Sequence, residues 1–387
     1  MNKIKNRAEM AQMLQERMTN TYGSLLEKQE LEPDTTLVKT YLKEAHVPER
    51  GSANTLLNSV RGIFSDETAR KKLSLKVRRT EEDSFFLVEG TVDREPITIY
   101  LDASNPRFWL LHSMNSSGAL DSLLERLVSM TPLIDNAWIP IHILESVASL
   151  GRLRGLGIDY DRRIIADVDF DADETPVEFL KMQLWGNKAS EVLRILRQEE
   201  AFPHEATLSK VKIKKWLDHE SPETFSIDDI KYDGKLTARG TSFAVHINIV
   251  DEVSRRYRET ITSIERKFRL YWQAQENRTC LRGEPVNLVF GRPIPNLESF
   301  CAHIFNCSAP FRLWGVPTYI NDNYVRVNAV DLHVGRTIVF EITNEYIRMY
   351  LPSDGCGNSI VRLVTNLQHY YDSMIEVHDG DDRSIFS

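Results

Sequence analysis

At 387 residues, with an apolar share of 42% and a charged share of 27%, the chain has the make-up of a soluble globular protein long enough for two or three cores. No run approaches the ~20 apolar residues of a membrane span, and the opening MNKIKNRAEMAQMLQ lacks the apolar core of a signal peptide, so a cytoplasmic protein without a membrane partner is expected. A net charge of −8 argues against a polyanion-binding surface spread over the whole molecule, and four irregularly spaced cysteines argue against a disulfide framework.

The first 73 residues read as helices. A mixed-charge helix over residues 4–20 ends near Tyr22-Gly23-Ser24. Asp34 is an N-cap candidate for a helix from Thr35 to Ala45, closed by the turn Pro48–Gly51. Ser52 caps ANTLLNSVRGIF, where Leu56, Leu57, Val60 and Phe64 recur at helical spacing, and Ser65-Asp66-Glu67 opens a last short helix. The period then changes to two, and LSLKVRR and FFLVEGTV flank the polar turn TEEDS as a hairpin.

Charge is unevenly placed. From Asp34 to Thr80 ten Lys/Arg face five Asp/Glu, a local +5 that leaves −13 on the remainder. Helix, tight turn, helix and charged hairpin between Thr35 and Thr91 is the order of a winged helix-turn-helix. Arg61, Arg70, Lys71, Lys72, Lys76, Arg78 and Arg79 are therefore the candidate nucleic-acid-binding residues, meeting phosphates through charge-assisted hydrogen bonds. Asn54, Thr55, Asn58 and Arg61 would lie on the second helix, where base edges are read. The plain alternative is a solvated edge strand whose cations discourage aggregation.

EPITIYLD reads as a further strand, followed by a helix from about Gly118 to Met130. GRLRGLGIDYDRR (151–163) has three glycines and four arginines but no Walker spacing, and is read as a turn joining domains. In IIADVDFDADETPVE, Asp167, Asp169, Asp171 and Asp173 alternate with apolar residues, the period of a half-buried strand with one acidic face. Three readings compete there. Residues 167–178 match the ligand spacing of a calcium loop ending at Glu178, but Ala172 stands where glycine turns the loop and the flank is strand-like. Asp167, Asp169 and Asp171 could hold Mg²⁺ for phosphoryl chemistry, with Glu178 and Lys181 nearby. The favoured reading pairs the acidic face with a basic one, because Lys210, Lys212 and Lys214 alternate in SKVKIKKW after a hairpin partner (VEFLKMQLW) and a helix (SEVLRILRQ).

The order of strands then helix recurs. KLTARGTSFAVHINIV leads into a helix from Ser254 to Trp272, and YVRVNAVDLHVGRTIVFEIT and EYIRMYLP precede a helix from Ser359 to Asp372. In the basic-aromatic stretches SRRYRE and ERKFRLYW, Tyr257, Tyr271 and Trp272 would stack on bases if exposed. Of Cys301, His303 and Cys307 in one helix-like run, only His303 and Cys307 share a face, and Cys280 and Cys356 could complete a four-ligand zinc set through folding. Cys356 near a helix start, with His333 or His369 as base, is a weaker nucleophile reading. HDGDDRSIFS reads as a frayed tail.

The expected architecture is α+β: a helical N-terminal module (1–73, with the winged arrangement continuing into the hairpin 74–91), then α+β units over 74–150, 151–280 and 281–387. The expected function is a non-catalytic cytosolic binding protein, an accessory or sensor subunit of a larger assembly contacting DNA or RNA through residues 50–79. The alternatives are a metal-dependent phosphodiester-cleaving enzyme built on Asp167, Asp169 and Asp171, and a structural subunit for protein partners. No cofactor is expected beyond a divalent cation at the acidic strand.

Overall fold

A computed structural model describes residues 4–28, 37–46, 53–64, 73–92, 94–165, 179–186, 188–198, 202–218, 220–275 and 278–386. In chain order these form α1 (Arg7–Lys28), β1 (Val38–Ala45), α2 (Ala53–Phe64), β2 (Leu73–Arg79), β3 (Phe85–Val92), β4 (Glu95–Asp102), β5 (Phe108–Ser113), α3 (Ser117–Met130) and β6 (Ile134–Asn136). Then come α4 (Ile141–Val147), β7 (Arg152–Asp161), β8 (Phe179–Trp185), α5 (Ala189–Gln198), β9 (Leu208–Trp216), β10 (Phe225–Lys231), β11 (Lys235–Gly240) and α6 (Phe243–Phe268). The last stretch holds β12 (Tyr271–Gln275), β13 (Arg278–Arg282), β14 (Val286–Val289), α7 (Leu297–Ile304), β15 (Leu313–Asn321), β16 (Tyr324–Asp331), β17 (Arg336–Thr343), β18 (Tyr346–Tyr350), α8 (Gly357–Tyr370) and β19 (Glu376–His378). The class is α+β. No described helix is long and apolar enough to cross a membrane.

The chain folds into two compact units, each assembled from separated stretches where consecutive blocks were expected. The first comprises residues 1–137, 147–153 and 212–255, and the second residues 138–146, 154–211 and 256–387. In the first unit the strand order is β2-β3-β4-β5-β1-β11-β10. One face of β3 and β4 (Phe86, Val88, Ile97, Ile99, Leu101) packs on Leu57, Val60, Ile63 and Phe64 of α2 and on Leu120, Leu123, Leu124 and Leu127 of α3. The other face (Phe85, Leu87, Tyr100) is covered by Met10, Leu14 and Met18 of α1. Alternation along β3 and β4 thus serves two cores at once.

The expected helix from Thr35 to Ala45 is a strand over its described part. β1 sits mid-sheet, antiparallel to β5 (Tyr41 opposite Leu111) and to β11 (Val38 opposite Ala238), and all eight residues are buried. Its period of two is hidden in sequence because both faces are enclosed and the buried set includes Lys39, Lys43 and Glu44. Each is compensated: the Arg107 guanidinium lies 2.6 Å from Glu44, Lys43 Nζ donates to Asn136, and Lys39 Nζ donates to the Leu37 carbonyl at 3.1 Å. With β1 a strand, the first helix of the expected helix-turn-helix is absent among the described residues.

In the second unit the antiparallel order is β15-β16-β17-β18-β14-β19. α8 is buried at every residue from Gly357 to His369, so polar side chains on it need internal partners. Arg362 supplies one: its Nη2 is 2.6 Å from Asp331 Oδ1 and its Nε donates to the Phe311 carbonyl at 2.8 Å.

Three further expectations are corrected. GRLRGLGIDYDRR is no turn but strand β7 for most of its length, and its glycines are there for close approach: a Cβ on Gly155 would stand 2.5 Å from the Leu184 carbonyl of the paired strand β8. The helix expected from Ser254 starts eleven residues earlier, at Phe243, and stops at Phe268, so Tyr271 and Trp272 are on a strand. The C-terminal HDGDDRSIFS is folded over its described residues. Asp379 accepts from the backbone N–H of Asp381 and Arg383 (both 2.9 Å) and from Lys267 Nζ, and the Ile385 N–H returns to the Val377 carbonyl at 2.9 Å.

Candidate nucleic-acid interface

β2 lies at one end of the strand order and carries the basic residues in alternation. Leu75 and Val77 face the α2 core, so Arg79 falls on that side, while Lys76 and Arg78 fall on the side covered by α1. Lys76 is exposed and stands opposite Glu89 on β3; Arg78 Nη2 is 3.3 Å from a Glu89 carboxylate oxygen. The electrostatics of the Tyr100 hydroxyl connect this strip to α1. Burial is the largest influence and raises its pKa, Arg17 and Arg78 oppose that, and Glu89 reinforces it. The described strip is therefore Arg17, Lys76 and Arg78 with one carboxylate among them.

Arg61 is not part of this strip. It is exposed in the last turn of α2, on the opposite side of the sheet from Lys76 and Arg78. Arg70, Lys71 and Lys72 lie outside the described residues. Asn58 is exposed on α2, but with β1 in place of a first helix, α2 is a core-packing helix and not the second half of a helix-turn-helix.

The three aromatics flagged for base stacking separate cleanly. Tyr257 is core, with its hydroxyl donating to Asn358 Oδ1 at 2.9 Å. Tyr271 and Trp272 are 44% and 70% exposed on the β12–β13 hairpin.

Asp167, Asp169, Asp171, Asp173 and Glu178 also lie outside the described residues. On the lysine strand meant to face them, Lys212 and Lys214 each have a partner among the described residues. Lys212 is buried, its Nζ 3.0 Å from Asp229 on β10, and the Lys214 ammonium sits 3.6 Å from the centre of the Phe225 ring and 4.9 Å from that of Trp216. Lys181 Nζ is 3.5 Å from Asp159. Opposite charges are paired across strands here, between β9 and β10 and between β7 and β8.

The cysteine and histidine candidates do not assemble within α7. Cys301 is buried, and burial pushes its thiol up to about 12, the reverse of activation; His303 bonds the Ser299 carbonyl through Nδ1 at 2.7 Å; Cys307 is exposed beyond the helix. Cys356 caps α8 without a side-chain hydrogen bond to the helix and is buried, with its Sγ within 4.8 Å of a ring nitrogen of His333.

Three polar clusters escaped the sequence reading. In the first unit Thr40 Oγ1 is 2.9 Å from His112 Nδ1 and 2.8 Å from His246 Nε2, His246 Nδ1 bonds Asp228, and Ser226 Oγ donates to Asp228 at 2.5 Å. The order suggests a hydrolase relay, yet all five residues are buried, and burial drives His112 down to about 3. Also in that unit, Asp121 accepts from Lys235 Nζ (2.6 and 2.9 Å) and the Tyr41 hydroxyl (2.7 Å), beside Lys43, whose pKa burial lowers to about 8. In the second unit, Arg292 donates to Glu205 (2.8 Å) and the Tyr160 hydroxyl (2.6 Å). Nearby, Asp372 accepts from His204 Nδ1 (2.8 Å) and the Gly291 N–H (2.7 Å). Their members are scattered along the chain, so no local spacing could reveal them.

A family model described as "MJECL33-like protein" matches residues 1–386, and the chain belongs to that family. Among curated proteins it is similar to "Uncharacterized protein MJECL33" of Methanocaldococcus jannaschii, 26% identical over 417 aligned residues that cover 98% of this chain and 96% of that protein.

Proposed function

We propose that this member of the MJECL33-like family is a non-catalytic nucleic-acid-binding protein, an accessory subunit of a cytoplasmic assembly that meets phosphates along the outer side of β2. One observation supports the reading. Lys76 and Arg78 share the side of a terminal strand, two residues apart, with Arg17 close enough to influence the same tyrosine. Side chains on that spacing stand about 7 Å apart, close to the repeat of phosphates along one strand. Glu89 competes for Arg78 in the unbound protein and is the group a phosphate must displace.

The test is fluorescence anisotropy of a labelled oligonucleotide at 50 and 200 mM salt. Lys76→Ala with Arg78→Ala is expected to weaken binding alike for all sequences and to lower the salt slope by about 2. Arg61→Ala, on the other side of the sheet, is expected to leave affinity unchanged. An excess of chelator should leave both binding and the integrity of the oligonucleotide untouched. Equal affinity of the double variant and the wild type would remove the proposal.

A further inference from the structure

The β12–β13 hairpin is unlike every other strand pair described. It forms a two-stranded sheet of its own, with Tyr271 opposite Arg282, Trp272 opposite Leu281, Gln273 opposite Cys280 and Gln275 opposite Arg278. Its base is fixed. The Leu270 N–H donates to the Leu351 carbonyl at 2.8 Å, and Arg269 Nε donates to the Gly355 carbonyl at 2.8 Å. Gly283 closes the foot of the ribbon at φ +84°, where a Cβ would stand 2.2 Å from the Arg269 carbonyl. Above that base the ribbon is bare on both faces: Tyr271, Trp272, Gln273, Ala274, Arg278, Thr279, Leu281 and Arg282 are all exposed.

A lone two-stranded ribbon is marginal in water, and one holding Trp272 70% and Leu281 52% exposed keeps an apolar surface for which its own fold has no use. Directly opposite residues share a face. Trp272, Ala274, Thr279 and Leu281 therefore make one flat apolar side. Tyr271, Gln273, Arg278 and Arg282 make the other, with Arg282 Nε donating to Gln273 Oε1 at 2.7 Å. The strands β12 and β13 carry two arginines and no acidic residue, and Glu276, between them in sequence, lies outside the described residues.

We propose that this ribbon is a second, separate contact, one that takes unpaired bases of single-stranded nucleic acid on Trp272 and phosphates on Arg278 and Arg282. It extends the nucleic-acid reading given for β2 but stands on a different element. A flexible single strand that crosses the edge of the ribbon can lay bases on the apolar face and phosphates on the guanidinium groups of the other face. A duplex offers its grooves base edges and not base faces, which would leave Trp272 and Leu281 unmatched. A protein surface would cover the apolar side but gives no reason for the pair Arg278 and Arg282 on the other.

The experiment titrates the full chain into a labelled 12-nucleotide oligo-thymidine and into a duplex of the same length. Trp272→Ala is expected to lower single-strand affinity at least about tenfold, Trp272→Phe to restore most of it, and Arg278→Ala with Arg282→Ala to weaken it with a reduced salt slope. Duplex affinity should change less than threefold, because the β2 strip is intact. If the ribbon variants bind oligo-thymidine like wild type while Lys76→Ala with Arg78→Ala is impaired, the ribbon proposal falls and the β2 reading stands. If the wild type binds neither probe, both fall. If Trp272→Ala leaves oligonucleotide affinity intact but converts a dimer to a monomer in light scattering, the ribbon is a self-association arm and the proposal is overturned.

Discussion

Thr40 Oγ1 lies 2.8 Å from His246 Nε2, and the same hydroxyl lies 2.9 Å from His112 Nδ1. One hydroxyl, with one proton and two lone pairs, therefore orders two buried rings. The hydroxyl can donate to one ring and accept from the other, while His246 Nδ1 faces Asp228. Thr40→Val keeps the shape and removes the hydroxyl, leaving two buried nitrogens unmatched. A loss of about 2–5 kcal/mol is expected in urea unfolding. Thr40→Ser keeps the hydroxyl and should lose less than about 1.5 kcal/mol.

Acid should weaken the protein well above the range where carboxylates titrate. Burial lowers the pKa of His112 and of His142 to about 3, against 6.5 in the unfolded chain. Between those values the unfolded state holds more protons, so stability is complete above pH 6.5 and falls as pH drops toward 3. The slope is at most about 1.4 kcal/mol per pH unit for each ring. His142 stacks on Phe386 with ring centres 3.8 Å apart, so His142→Phe retains an aromatic pair and should flatten the slope measured from urea midpoints between pH 4 and pH 7.

Arg362 and Asp331 test a buried pair. Burial alone would raise the Asp331 carboxyl, but Arg362 and the Ser359 hydroxyl outweigh it and hold it below the usual carboxylate range. Arg362→Met strands that carboxylate and should cost about 3–5 kcal/mol; Arg362→Met with Asp331→Asn should cost clearly less than the two single changes added together. Additive losses would show that the pair is not coupled.

The Lys267–Asp379 contact is expected to set how firmly the C-terminal turn is held. Hydrogen bonds from Lys267 and from the Arg383 backbone lower Asp379 to about 2. Its contribution is present above the unfolded carboxylate value and is lost as pH falls through about 2. Lys267→Met should quicken limited proteolysis after residue 378 at pH 7 while leaving cleavage elsewhere unchanged. Equal rates at that site would dismiss the contact as an anchor.

Elements whose two faces differ were readable in the sequence. The β2–β3 and β16–β17 hairpins announce themselves by alternation, because one face is wet or lined by different side chains from the other. β1 did not, since enclosure on both faces removes the contrast that periodicity measures. The basic module was half readable. Its composition is visible, but the pleat sends Arg79 to one side and Lys76 and Arg78 to the other, and this division follows only once Leu75 and Val77 are known to face α2. Tyr257, Tyr271 and Trp272 looked equivalent in sequence until α6 ended at Phe268. The Thr40–His246 contact joins residues 206 apart, beyond any local pattern.

The folded C-terminal turn has a practical consequence for handling the protein. Removing the residues after His378 would take away the Asp379 carboxylate that engages Lys267 and the Ile385 N–H that closes on Val377. A short truncation would then act on β19 like an interior substitution. Affinity tags and fluorescent labels are therefore better carried at the other terminus, where a comparison between tagged and cleaved protein would report on binding without disturbing this hairpin.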